Sequence, residues 1–138
     1  MTRSAALFVG LSMLSLGLFL MAGAPPAGAQ QNPAIQRKPL LQQDSTIAGY
    51  QATMNIVEIP AGVSEIRHTH PGPLTVYVLE GTLILEHEGR PTTTYNTGEA
   101  VLIEAGKIHR GINSGTVPLK LLANLTSEKG KPASSPAP

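Results

Sequence analysis

The sequence contains no cysteine. It therefore has no disulfide, no thiol nucleophile and no cysteine through which a bacterial lipoprotein could be anchored, so its packed core must hold it together. Charge of one sign is also missing: the chain has ten basic and nine acidic side chains. Loss of Arg3 with the leader described next leaves nine against nine. Nothing resembles the basic stripe that nucleic acid demands, which argues against nucleic acid as a partner. No stretch between residues 47 and 127 keeps a helical period for long before a turn signal breaks it.

What is present begins with Arg3 and the apolar run AALFVGLSMLSLGLFLMAGA, followed by Ala27, Gly28 and Ala29 at the spacing a signal peptidase reads. The pattern predicts a signal peptide over residues 1–29, cut after Ala29, and a periplasmic or secreted mature protein without stable membrane insertion. An uncleaved anchor is the alternative, because roughly 18 apolar residues can span a bilayer. Residues 30–46, polar with two prolines, read as an N-terminal arm docking at most through Leu40 and Leu41. Residues 128–138, rich in proline, serine and lysine, read as a disordered tail.

Residues 47–127 form the expected domain. Short runs such as YQATMNIVEI, LTVYVLE, TLILEHE and AVLIEAG alternate with Pro60-Ala61-Gly62, Pro71-Gly72-Pro73, Gly81, Gly89 and Asn96 to Gly98. Many short strands at close spacing predict an all-β sandwich or barrel. A small barrel is filled by its own inward side chains and has room for one small ligand at its mouth.

The chemistry concentrates in HTHPGPLTVYVLEG, residues 68–81. Residues two apart on a strand share a side, so His68 and His70 present both imidazoles to one face. A third histidine lies in GEAVLIEAGKIHRGIN, residues 98–113. Residues Gly62 to Gly81 resemble the first cupin motif, G-x5-H-x-H-x3-E-x6-G, with Gly62, His68, His70 and Gly81 in register. Gly98, Gly106, His109 and Asn113 fit the second motif, G-x5-P-x-G-x2-H-x3-N, and residues 82–97 match the short separation of compact bacterial cupins. The resemblance implies an antiparallel double-stranded β-helix, the jelly-roll or cupin barrel. It also implies one divalent transition-metal ion on His68, His70 and His109. Iron is the favoured metal, with manganese, zinc, nickel and copper as alternatives, because imidazole suits many of them.

Two positions depart from the family pattern. Glu104 replaces the proline of the second motif, which should alter only the turn leading to His109. Leu74 replaces the glutamate that usually ligates the metal. Thr75 offers no carboxylate, Glu80 lies roughly 20 Å further along an extended strand at about 3.3 Å per residue, and Glu65, at an odd spacing from His68, should face away unless a bulge intervenes. Three neutral ligands leave a divalent ion its full double charge, which favours anionic donors in its vacant positions.

The neighbouring residues read as structure. Leu74, Val76 and Val78 should line the barrel, Tyr77 should face outward, and Ile108 and Ile112 should pack away from the His109 face. His87 should be exposed beside its turn. Asn113 should fix a loop, and Arg67 and Arg110 should face away from the histidines. No side chain stands out as a catalytic acid or base, and no organic cofactor is implied. The resemblance suggests a metal-dependent, dioxygenase-like oxidoreductase acting on a small anionic molecule. A non-enzymatic module binding a carbohydrate or organic acid, and a metal-dependent isomerase or lyase, are the alternatives. Pairing of outer strands, as in many cupins, would make a homodimer.

Overall fold

Turn residues cut the chain into strands wherever the sequence punctuates it. The computed structural model describes residue 32 and residues 34–138, so the expected signal peptide and its cleavage site lie outside the described residues. The strands are β1 (Gln36–Asp44), β2 (Tyr50–Ile59), β3 (His68–Thr69), β4 (Leu74–Glu80), β5 (Thr82–His87), β6 (Thr93–Asn96), β7 (Ala100–Ile103), β8 (His109–Ile112), β9 (Leu119–Glu128) and β10 (Ser135–Pro136). They form two antiparallel sheets, ordered β1-β2-β9-β4-β7 and β10-β3-β8-β5-β6. This is the all-β architecture that the turn spacing predicts and the jelly roll that the motif resemblance implies.

Alternation decides which side chains enter the barrel. In β4, Leu74, Val76 and Val78 are buried while Thr75 and Tyr77 face solvent. In β5, Leu83, Leu85 and His87 point inward. Ile59, Val78, Leu83 and Leu119 are almost wholly inaccessible, each worth ~1.5–3 kcal/mol of burial. Register sets the composition of the inner wall, since directly opposed residues share a face. One row runs Arg37, Val57, Leu121, Val78. The next runs Pro39, Asn55, Ala123, Val76, and Thr53, Leu125 and Leu74 follow. The inner wall therefore turns from polar at β1 and β2 to apolar at β4.

Two segments differ from the sequence expectation. The expected arm is β1, laddered along its length to β2. Leu40 and Leu41 are largely exposed, whereas Ile35, just before the strand, is buried. Pro39 is tolerated because β1 is an edge strand, where a missing N–H disrupts no central ladder, and the register shifts between Pro39 and Leu41. The expected disordered tail is also ordered: Ser135 and Pro136 pair with Thr69 and His68, and the Ala137 N–H donates to the Arg67 carbonyl at 2.9 Å. Composition missed both segments because backbone pairing, rather than apolar side chains, holds them.

Gly72 shows how closely the connection between β3 and β4 passes over β9. A Cβ there would run into the Thr126 carbonyl. Only glycine allows that approach. No helix among the described residues is long and apolar enough to cross a membrane.

Candidate metal centre

Three strand ends bring the histidines together. His68 and His109 are cross-strand partners in β3 and β8, and His70 follows two residues after His68. Ring centroids lie 4.4 Å apart for His68 and His109, 4.9 Å for His68 and His70, and 5.1 Å for His70 and His109. One nitrogen from each ring forms a set within 4.8 Å of one another, and no carboxylate belongs to it.

The other ring nitrogens identify which atoms converge. Nδ1 lies 2.8 Å from the Ile66 carbonyl in His68, 2.6 Å from that of Ala133 in His70, and 2.9 Å from that of Lys107 in His109. A carbonyl only accepts, so Nδ1 carries a proton, and in the neutral ring Nε2 is the atom that keeps its lone pair. Three convergent acceptors without a donor among them fit a cation, and the backbone carbonyls hold the rings as outer partners do at metal sites. Burial lowers the His70 pKa to about 4 and the His109 pKa to about 3. At His70 the hydrogen bond to Ala133 opposes that shift, while the charges of His68 and Arg37 add to it. Both rings are thus neutral at pH 7, the state in which imidazole binds metal.

The centre opens into a cavity of about 130 Å³, comparable to the ~150 Å³ engineered cavity that takes benzene. Leu74 is buried and lines it beside the histidines, together with Val76, Leu83, Leu85 and Ile103. The leucine in the usual glutamate position is therefore an apolar wall of the site.

Two charged residues also line the cavity, one expected to face away and the other not singled out in the sequence. Glu65 lines the same cavity, contrary to the expectation that it faces away. Residues 65–67 are not strand, so strict alternation does not apply between Glu65 and His68. The Glu65 N–H instead donates to the Gly111 carbonyl at 2.9 Å, and its carboxylate accepts from the Gly111 N–H at 3.1 Å. Gly111 permits this contact: a Cβ there would stand 3.0 Å from Glu65 Oε2 and 3.1 Å from Leu83 Cδ1. The other carboxylate oxygen receives Arg37 Nη2 at 2.8 Å. Arg37 was hidden in the supposed arm. The available signal was its spacing of two from apolar Ile35, which puts both on the inner side of an extended segment.

His87 also differs from expectation. It is buried because it continues the inward series Leu83, Leu85. Its Nδ1 lies 2.9 Å from the Glu88 carbonyl. Its Nε2 is 3.0 Å from Glu104 Oε2, close enough for a charge contact, although the two atoms make no aligned hydrogen bond. Arg90 closes on the same carboxylate. Glu104, in the motif's proline position, therefore ties β5 to the turn before His109 rather than only reshaping that turn. The remaining assignments match: Arg110 makes a two-pronged bond to Glu86 at 2.8 Å, and Tyr77 is exposed. Asn113 donates to the carbonyls of Ile59 and Val117 and accepts from the Gly115 N–H.

Solved structures share this architecture at low sequence identity. A Klebsiella pneumoniae protein with a double-stranded β-helix domain is 18% identical at TM-score 0.61, covering 78% of this chain and 87% of its own. KdgF from Halomonas sp. is 20% identical at TM-score 0.55, covering 68% and 80%. The DMSP lyase DddQ from Ruegeria pomeroyi is 22% identical at TM-score 0.58, covering 62% of this chain and 43% of that one. These likenesses establish the fold alone. No curated protein matches the sequence. The family described as Cupin domain matches residues 55–124, the span from β2 to β9 that carries all three convergent histidines, and the chain belongs to that family.

Proposed function

We propose that the protein is a metal-dependent oxidoreductase of the dioxygenase type, acting on a small anionic organic molecule held in the barrel mouth. The convergence of three imidazole nitrogens without a carboxylate carries this reading. His68, His70 and His109 would hold one divalent transition metal, with iron preferred. Such an ion supplies Lewis acidity, an undiminished double charge and open positions for an anionic donor and for oxygen. The carbonyls of Ile66, Ala133 and Lys107 keep each ring in its metal-binding tautomer. Leu74 and its apolar neighbours keep bulk water from the centre, and the cavity limits the ligand to roughly half a dozen heavy atoms.

One observation favours a second, redox-neutral reading. Glu65 brings a fixed carboxylate into the same cavity, where it could move a proton in an isomerase or lyase. The names of two fold neighbours, one a lyase, belong to those proteins and lend only analogy.

Full-length protein, stripped and reloaded with Fe(II), Zn(II) or Ni(II), tests both readings against a panel of small carboxylates. Iron-dependent oxygen uptake is expected. Turnover only without oxygen dependence, on zinc or nickel, would replace the first reading by the second. Ligand binding unaltered by chelator, with no turnover, would leave a binding module. His109→Ala should abolish metal retention; retention at wild-type stoichiometry would remove the basis of either enzyme.

Export accompanies this reading, on the strength of the leader sequence. Mass spectrometry of protein recovered from a bacterial host should find a chain beginning at Gln30 in the periplasm or medium, and an intact N-terminus in the membrane fraction would instead identify an anchor.

A further inference from the structure

The polar side of the cavity is assembled from elements that do not carry the histidines. Arg37 comes from the edge strand β1, and Asn55 and Thr53 come from β2. Leu74, Val76 and Ile103 form an apolar wall from β4 and β7. A ligand in this space meets charge on one side and hydrocarbon on the other.

Arg37 suits recognition of an anion. Its side chain is 29% exposed and that of Glu65 14%, so the guanidinium is reachable from the mouth while its partner is more deeply set. A guanidinium presents five N–H donors in a planar fork that matches a carboxylate. The bond to Glu65 engages Nη2. Glu65 is itself tethered to the Gly111 backbone through both its N–H and its carboxylate. It therefore holds the guanidinium in place without following it. Arg37 and all three histidines line this same cavity, so the guanidinium and the three-histidine centre face one space.

We propose that Arg37, braced by Glu65, is the specificity element of this site: it binds the carboxylate of a small organic acid whose neighbouring oxygen or sulfur atom occupies the metal. The substrate class is a compact carboxylic acid with a second donor atom adjacent, such as a 2-oxo, 2-hydroxy or 2-thio acid. This rests on the metal-binding reading of the histidines. It assigns the N-terminal strand a part in ligand choice, and Glu65 the part of an internal anion that competes with the ligand for the arginine.

Cobalt(II)-loaded full-length protein provides the test, because the cobalt absorption spectrum reports both metal uptake and ligand entry. The probes are pyruvate, its neutral analogue pyruvamide, and imidazole, a neutral metal ligand. Wild type should bind pyruvate about tenfold to a hundredfold more tightly than pyruvamide, the range expected of hydrogen bonds to a charged group. Arg37→Met should reduce that preference severalfold, to the part the doubly charged metal supplies by itself, and Arg37→Lys should reduce it less. Imidazole should bind wild type and both variants equally, which shows that the metal centre and the fold are intact. Glu65→Gln, which removes the competing charge but keeps an acceptor for Gly111, should bind pyruvate several-fold more tightly. An unchanged pyruvate preference in Arg37→Met with normal cobalt and imidazole binding would overturn the role of Arg37 and spare the metal reading. Weaker pyruvate binding in Glu65→Gln would overturn the competition. Wild-type protein that takes up no cobalt would overturn both the metal reading and this inference.

Discussion

Restoring the motif's carboxylate by Leu74→Glu should weaken the metal-free fold while tightening the grip on metal. Leu74 is 7% exposed and packs in the core cluster while lining the histidine cavity. Removing its buried surface costs ~1.5–3 kcal/mol, and desolvating a carboxyl in its place adds ~1–3 kcal/mol. The metal-free variant should thus lose about 3–5 kcal/mol, a large share of the ~5–15 kcal/mol that holds a domain together. With a urea m-value of about 2 kcal/mol/M, the unfolding midpoint should fall by about 2 M. Metal recovers part of that loss. A carboxylate 4 Å from a doubly charged ion at an effective dielectric constant of 20 gains ~8 kcal/mol, and the carboxylate's desolvation consumes most of this. A net gain near 1.4 kcal/mol would tighten metal binding about tenfold. The assay is urea unfolding of stripped and zinc-loaded protein, together with chelator competition for the metal. A variant whose metal-free midpoint is unchanged would show that Leu74 is not the packed wall described above. Unchanged or weaker metal affinity in a folded variant would show that residue 74 does not reach the centre.

Further consequences can be checked on the same preparations. His70 and His109 have folded-state pKa values lowered to about 4 and about 3 from 6.5. The unfolded chain therefore takes up protons first as pH falls, so the stability of metal-free protein is fully present above about pH 6.5 and declines through about pH 4. Urea midpoints measured between pH 7 and pH 5, above the range where carboxylates titrate in the unfolded chain, should fall with pH; a flat or rising series would contradict the buried neutral rings. Asn113 is 2% exposed, and its three hydrogen bonds span 2.8–3.0 Å. At about 1 kcal/mol each, Asn113→Ala should cost about 3 kcal/mol in urea unfolding. A loss below 1 kcal/mol would mean that water replaces the side chain without penalty.

The parts of this molecule written in local pattern were legible. Alternation in LTVYVLE assigned Leu74, Val76 and Val78 to the interior, and the one-residue gap between His68 and His70 placed their rings together. His87 obeys the same alternation, but its charged neighbours and the adjacent turn pointed to solvent. Arg37 and Glu65 were less accessible to such reasoning. Arg37 enters the cavity only because β1 joins β2, a pairing of residues 7 to 22 positions apart that no local composition encodes. Glu65 lies in irregular backbone whose direction is set by its bonds to Gly111, 46 residues away. The C-terminal segment escaped for a similar reason: its contribution at His70 is the carbonyl of Ala133, and every residue type has a carbonyl.

The uneven lining of the cavity carries a stereochemical consequence. Histidines, a cationic fork and a hydrocarbon wall bound one small space from three directions, and no mirror plane exchanges them. A chiral guest touching all three cannot be overlaid on its enantiomer, so left- and right-handed forms should bind with different affinities, and a flat prochiral guest should offer one of its two faces to the metal.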